Sequence, residues 1–187
     1  CIFLSNPATY GWKDNSGTLP PINVHIHDIE LTKEQTDLTM TSSGKLFVSE
    51  LGGIATRASY GQIAKGNYKG KAVETNKPAY IKQLVESWPD ESTIIWCIYN
   101  EEQASMARTF PDAVDIDGGT PLDKRLAGIK EFKAGTRKQL ISKSKILGFG
   151  LNLQITTRMV FSGLQDSYES YYQCVKRANR IGSTRPL

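Results

Sequence analysis

The chain has 187 residues, 39% hydrophobic and 22% charged, enough for one domain of ordinary size with a sizeable core. No apolar run approaches the roughly 20 residues that cross a bilayer, and Asn6, Lys13, Asp14 and Asn15 follow Cys1-Ile-Phe-Leu too soon for a secretory leader. Cys1, Cys97 and Cys174 are odd in number and lack CxxC spacing, so a cytoplasmic, reducing setting is expected and a disulfide framework or zinc site is not.

The opening on cysteine suggests a piece of a longer protein. The net charge of +4 hides an asymmetry: residues 120–187 hold 13 Lys/Arg against 4 Asp/Glu, and residues 1–119 hold 10 against 15. The basic surplus of the second half favours a polyanionic partner there.

In chain order, residues 1–21 carry turn signals (Asn6-Pro7, Gly11, Asn15-Ser16-Gly17, Pro20-Pro21) and read as an irregular entry segment. Asn23 to Leu31 alternates in the manner of a short strand, with His25 and His27 on one face. No third or fourth ligand accompanies the two histidines, so no metal site is expected. Thr32-Lys-Glu-Gln35 has the form of a capping box and starts a helix. Residues 46–63 read as partly helical, with Gly52-Gly53 interrupting. In Gly61–Lys71 neither glycine pair is followed by Lys-Ser/Thr at phosphate-loop spacing, so this is a basic turn.

From there the pattern becomes regular. Pro78 suits the first turn of a helix that continues through Trp88 to Pro89. Thr93–Tyr99 is an unbroken apolar run, as buried parallel strands read. A helix over 101–110 and a strand over 113–116 follow. Thr120-Pro-Leu-Asp123 supplies an N-cap, an N1 proline and an N3 carboxylate for a helix reaching about Lys133 and ending at Gly135. Strands are expected over 138–142 and 158–162, with Gly148-Phe-Gly150 between them. Asp166, with Glu169 three residues on, starts the last helix, and Gly182 stops it.

On that helix Gln173, Arg177 and Arg180 share one narrow sector, opposite a stripe of Tyr168, Tyr171, Tyr172, Val175 and Ala178. Two converging guanidiniums form an always-charged fork suited to phosphate oxygens; a solvated basic face is the plain alternative. Alternating strands and helices imply a parallel α/β sheet with right-handed crossovers and helices on both faces. Ligands of such sheets bind beyond the carboxyl ends of the strands, where Gly148–Gln154 and the arginine helix are expected to lie.

Residues ~92–185 resemble the second RecA-like lobe of superfamily 2 helicases, closest to Swi/Snf-type translocases and to phage- and prophage-type helicases. Thr93–Tyr99 resembles the fourth helicase motif. Asp117-Gly-Gly-Thr-Pro-Leu-Asp-Lys-Arg125 with Phe132 resembles the segment that follows it. Ser144-Lys-Ile-Leu-Gly-Phe-Gly-Leu-Asn-Leu-Gln154 resembles motif V. Gln173-Cys-Val-Lys-Arg-Ala-Asn-Arg-Ile-Gly-Ser183 matches the QxxxRxxRxG form of motif VI. Leu147 and Ser183 depart from the translocase pattern, which commonly has glycine and glutamine there.

The resemblance implies a helicase C-terminal lobe over residues 76–187, preceded by an N-terminal extension and helical lead-in over 1–75. It implies ATP and Mg²⁺ held mainly by a first RecA-like lobe of the same polypeptide, with Arg177 and Arg180 as arginine fingers and Gln173 beside them. Gly148, Gly150, Asn152 and Gln154 would couple the nucleotide cleft to DNA, expected to be double-stranded. Arg125, Lys143, Ser144 and Lys145 would contact its backbone. No membrane and no protein-bound metal are implied. A silent nucleic-acid or partner-binding module, and the motor lobe of a restriction or repair complex, are the rival readings; a phage origin would place the protein in the host cytoplasm or nucleoid.

Overall fold

Four strands carry the fold, and their side chains explain its layers. β3 (Thr93–Cys97), β4 (Val114–Ile116), β5 (Gln139–Lys143) and β6 (Arg158–Phe161) form one parallel sheet in the order β4-β5-β3-β6. Every residue of β3 is buried, as its central place demands. Alternate residues feed opposite cores: Ile94, Trp96 and Leu140 point to one side, Ile95, Cys97 and Ile141 to the other. α3 (Lys77–Glu86) and α4 (Asn100–Thr109) cover the Ile95 side through Ile81, Val85 and Met106. α5 (Leu122–Lys133) and α6 (Tyr168–Val175) cover the Trp96 side through Ile129, Phe132 and Cys174. Helices on both faces are therefore realised.

The computed structural model describes residues 19–43, 54–88, 90–147, 151–163, 167–180 and 183–187. Gly148, Gly150, Gly182, Asp166 and Gly52-Gly53 lie outside them. Among the described residues no helix is long and apolar enough to cross a membrane, and no group of three or more His, Cys, Asp or Glu converges.

Ahead of the sheet, α1 (Lys33–Ser43) starts on the expected capping box: Thr32 N–H donates to Gln35 Oε1 at 3.0 Å and Gln35 N–H to Thr32 Oγ1 at 3.2 Å. α2 (Ile54–Ala64) follows, pinned to α1 by buried Gln35, whose Nε2 donates to the Ile63 carbonyl at 2.8 Å. The basic turn is a hairpin of β1 (Asn67–Tyr68) and β2 (Lys71–Ala72). Lys69 and Gly70, with φ of 50° and 75°, make the paired left-handed turn that two-residue hairpins favour.

Three expectations need correction. Asn23–Leu31 is no strand: it pairs with no strand among the described residues. It lies extended, fastened by Asn23 N–H to the Leu187 carbonyl (2.8 Å), His27 to Tyr80 (2.8 Å) and Asn76 Nδ2 to the Glu30 carbonyl (2.9 Å). Thr120 does not cap α5. Its hydroxyl donates to Asp117 Oδ1 at 2.7 Å, so Pro121 takes the cap position and the helix starts at Leu122. The last helix stops at Val175, seven residues short of Gly182 in sequence, with consequences for the arginines.

Candidate functional site

α6 starts at Ser167, whose hydroxyl accepts from Ser170 N–H at 3.3 Å. It ends because the carbonyls beyond Val175 are claimed by partners outside the helix. Leu153 N–H donates to the Arg177 carbonyl at 2.9 Å, and Ser183 Oγ donates to the Ala178 carbonyl at 2.7 Å. Asn179, buried, donates its Nδ2 to the Pro20 carbonyl at 2.9 Å and accepts from Lys176 Nζ at 3.2 Å. The chain from Lys176 to Arg180 is consequently a series of tight turns, several closed by i to i−3 bonds.

The shared helical sector of Gln173, Arg177 and Arg180 is thus not what the structure builds. Gln173 is exposed on α6, Arg180 is exposed on the turn, and Arg177 is buried at 7% exposure. The two arginines remain electrostatic neighbours: burial first, and the Arg180 charge after it, hold the Arg177 guanidinium below its usual pKa. Arg177 Nε is buried without a hydrogen-bond acceptor, and among the described residues no carboxylate figures in the charges acting on this side chain. The tyrosine stripe is also redistributed. Cys174, Val175 and Ala178 are buried, while Tyr168 and Tyr172 are 74% and 43% exposed.

Asn152 and Gln154 adjoin this turn through Leu153. Asn152 Oδ1 accepts from Gln154 N–H at 3.1 Å, and Asn152 Nδ2 donates to Gln154 Oε1 at 2.8 Å, a local turn that presents both side chains together. Leu153 itself is fully buried in the core under α5 and α6. Thr156 N–H bonds back to its carbonyl at 2.9 Å, and Thr157 then enters β6 beside Glu91, which precedes β3. Asn152, Gln154 and Arg177 therefore sit toward the amino edge of the sheet, not at the carboxyl edge expected of them: α6 leaves the carboxyl edge and carries the chain about 12 Å along its axis before the arginines.

The carboxyl edge holds the other group. Lys143 ends β5 and donates to Asn100 Oδ1. Ser144 is half-buried and Lys145 exposed in the turn that follows. Arg125 reaches back over the β4–α5 loop, its Nη2 donating to the Asp117 and Thr120 carbonyls at 3.4 Å each, with Nε buried and unpartnered. The Thr120 hydroxyl first, and the Gly119 amide and Lys143 charge with it, hold the Asp117 carboxyl below its usual range. The candidates thus form two clusters on one lobe, an arginine–amide cluster on the α5/α6 face and a basic cluster at the strand ends.

This division, on a parallel sheet with the motif-bearing loops in these places, meets its match in known proteins. The profile of the helicase conserved C-terminal domain matches residues 76–182. The chain belongs to that family. Comparison with curated proteins gives no significant match. Among solved structures, the helicase lobe is similar to the C-terminal part of the Fun30 ATPase domain, with a TM-score of 0.65 and 15% identity over 90% of this chain and 84% of that one. It is also similar to the RNA-helicase Prp28 from Chaetomium thermophilum bound to ADP, with a TM-score of 0.50 and 14% identity over 56% of this chain and 27% of that one. At these identities the likeness establishes the fold alone, a RecA-like α/β lobe.

Some residues that shape the site were not visible as such in the sequence. Asn179 and Ser183 fix the arginine turn, and Lys77, whose Nζ donates to the Ser162 carbonyl at 2.7 Å, ties α3 to the end of β6. Asn179 alone gave a signal: a polar residue on the stripe side of the supposed helix needs a partner if buried.

Proposed function

We propose that this chain is the second lobe of an ATP-dependent DNA helicase or duplex translocase of Swi/Snf type, acting with a first RecA-like lobe of the same polypeptide. The observation that carries the reading is Arg177: a buried guanidinium with an unpartnered Nε, beside Arg180 and with no carboxylate among the described residues acting on it. Burying such a charge costs stability unless an anion completes it, and a nucleotide phosphate supplies that anion. ATP with Mg²⁺ supplies a phosphoryl group whose charge spreads over its oxygens as it is transferred. Arg177 and Arg180 hold and stabilise that charge, and Gln173 and the Asn152–Gln154 turn line the same face. The first lobe carries the phosphate loop and the metal ligands.

Lys143, Ser144, Lys145 and Arg125 bind the nucleic-acid backbone at the carboxyl edge, contributing affinity without sequence reading. The basic second half supports a polyanion, and the Fun30 likeness together with the motif pattern supports the Swi/Snf affinity; the phage-type affinity rests on the motifs alone. A cytoplasmic location fits this reading.

The test is turnover. Arg177→Lys and Arg180→Lys in the intact protein are expected to lower ATP hydrolysis by roughly 10³- to 10⁵-fold while nucleotide binding persists, because lysine lacks the planar fork. The 187-residue chain alone is expected to hydrolyse no ATP. Near-normal turnover by both variants, or DNA-stimulated turnover by the chain alone, overturns the reading.

A further inference from the structure

The proposed nucleic-acid contacts do not use an aromatic patch that the described residues of the helicase lobe leave open. Tyr168 and Tyr172, one helical turn apart on α6, are the exposed aromatic side chains among the large apolar residues described, at 74% and 43% exposure. Their ring centroids lie 6.1 Å apart. Tyr171 underpins them: its ring is 6.4 Å from Tyr168 and 5.0 Å from Phe161 at the end of β6. The platform is therefore anchored to the sheet. Lys176 sets its ammonium 5.6 Å from the Tyr172 ring centre and is held by Asn179 at 3.2 Å.

α6 starts beyond the carboxyl end of β6, and Lys143 ends β5 at the same edge. β5 and β6 flank β3, so their ends are about 10 Å apart. A backbone held at Lys143 and Lys145 is thus within a few nucleotides' reach of the tyrosines. An apolar protein surface is met by aliphatic side chains without charge, whereas π-faces interleaved with an ammonium fit a strand whose bases stack and whose phosphates are anionic. Glu169, the acid on this helix, sits in its first turn, where the helix N-terminus offsets it.

We infer that Tyr168 and Tyr172, with Lys176, form a stacking site for unpaired bases of a nucleic-acid strand whose backbone runs along the carboxyl edge. The inference rests on the reading of that edge as a nucleic-acid interface. It adds that the lobe meets a strand with exposed bases, not only a closed duplex. Stacking on a tyrosine is sequence-tolerant, since every base has a π-face.

The experiment measures fluorescence anisotropy of three probes with the intact protein at one salt concentration: an oligothymidylate strand, an abasic strand of equal length, and a blunt duplex. Tyr168→Ala and Tyr172→Ala are each expected to weaken the thymidylate strand roughly tenfold and to leave the abasic strand and duplex unchanged. Tyr168→Trp and Tyr172→Phe are expected to restore it. Equal losses on all three probes, or none on any, overturn the inference. So does unchanged binding with altered nucleic-acid-free ATP turnover, which assigns the rings to the first lobe. A wild-type protein that binds none of the probes instead removes the interface reading beneath it.

Discussion

Replacing Arg177 with methionine should separate stability from activity. The side chain is 7% exposed, its Nε has no acceptor, and the influences on its charge are burial, a neighbouring thiol and a second arginine. An unsatisfied buried polar group costs about 1–3 kcal/mol, and methionine fills a similar length without that penalty. Arg177→Met is therefore expected to stabilise the nucleotide-free protein by about 1–3 kcal/mol. For a unit of this size that raises the thermal midpoint by roughly 2–4 °C per kcal/mol. The same change removes a finger and should lower ATP turnover by roughly 10³-fold or more. The assays are thermal unfolding without nucleotide and steady-state hydrolysis with DNA. A variant that melts several degrees lower, or that keeps its turnover, shows Arg177 to be an ordinary structural residue and refutes the reasoning.

Other outcomes follow from packing and protonation. A Cβ on Gly128 would lie 2.6 Å from Val114 Cγ1, where α5 crosses β4, so Gly128→Ala should destabilise by roughly 1–3 kcal/mol, read from the denaturant midpoint. Burial pushes the Cys174 thiol up to about 12 and raises Cys97 as well, so neither should alkylate at neutral pH until the protein unfolds, as peptide mass mapping will show. The Thr157 hydroxyl and then Arg185 hold the Glu91 carboxyl below its usual range. Its contribution is therefore present above the ordinary carboxylate pKa and lost as pH falls through the lowered one. The stability gap between wild type and Glu91→Gln should close in acid, measured as unfolding midpoint against pH.

Much of the fold was legible because its signals are local. The all-buried β3, the proline-led α3 and the capping box of α1 each declare themselves within ten residues. The failures share a different cause. Whether Asn23–Leu31 becomes a strand depends on its meeting a partner strand, which no window of sequence reports. The end of α6 depends on Leu153, Pro20 and Ser183, which reach the turn from other segments of the chain. A helical wheel drawn through Arg180 presumes a helix that those bonds dissolve. The motif therefore singled out the arginines as candidates, while their unequal burial, on which the Arg177 prediction stands, emerged only from tertiary contacts.

The fastening of Asn179 to Pro20 and of Asn23 to Leu187 bears on where this lobe can be cut. The family profile begins at residue 76, yet a chain started there would lose the Pro20 carbonyl that anchors Asn179 between the two arginines and the Glu30 carbonyl on Asn76. The span that matches the family is shorter than the span these bonds tie together. The Asn179 amide on the Pro20 carbonyl thereby joins the lead-in directly to the turn that carries the arginines.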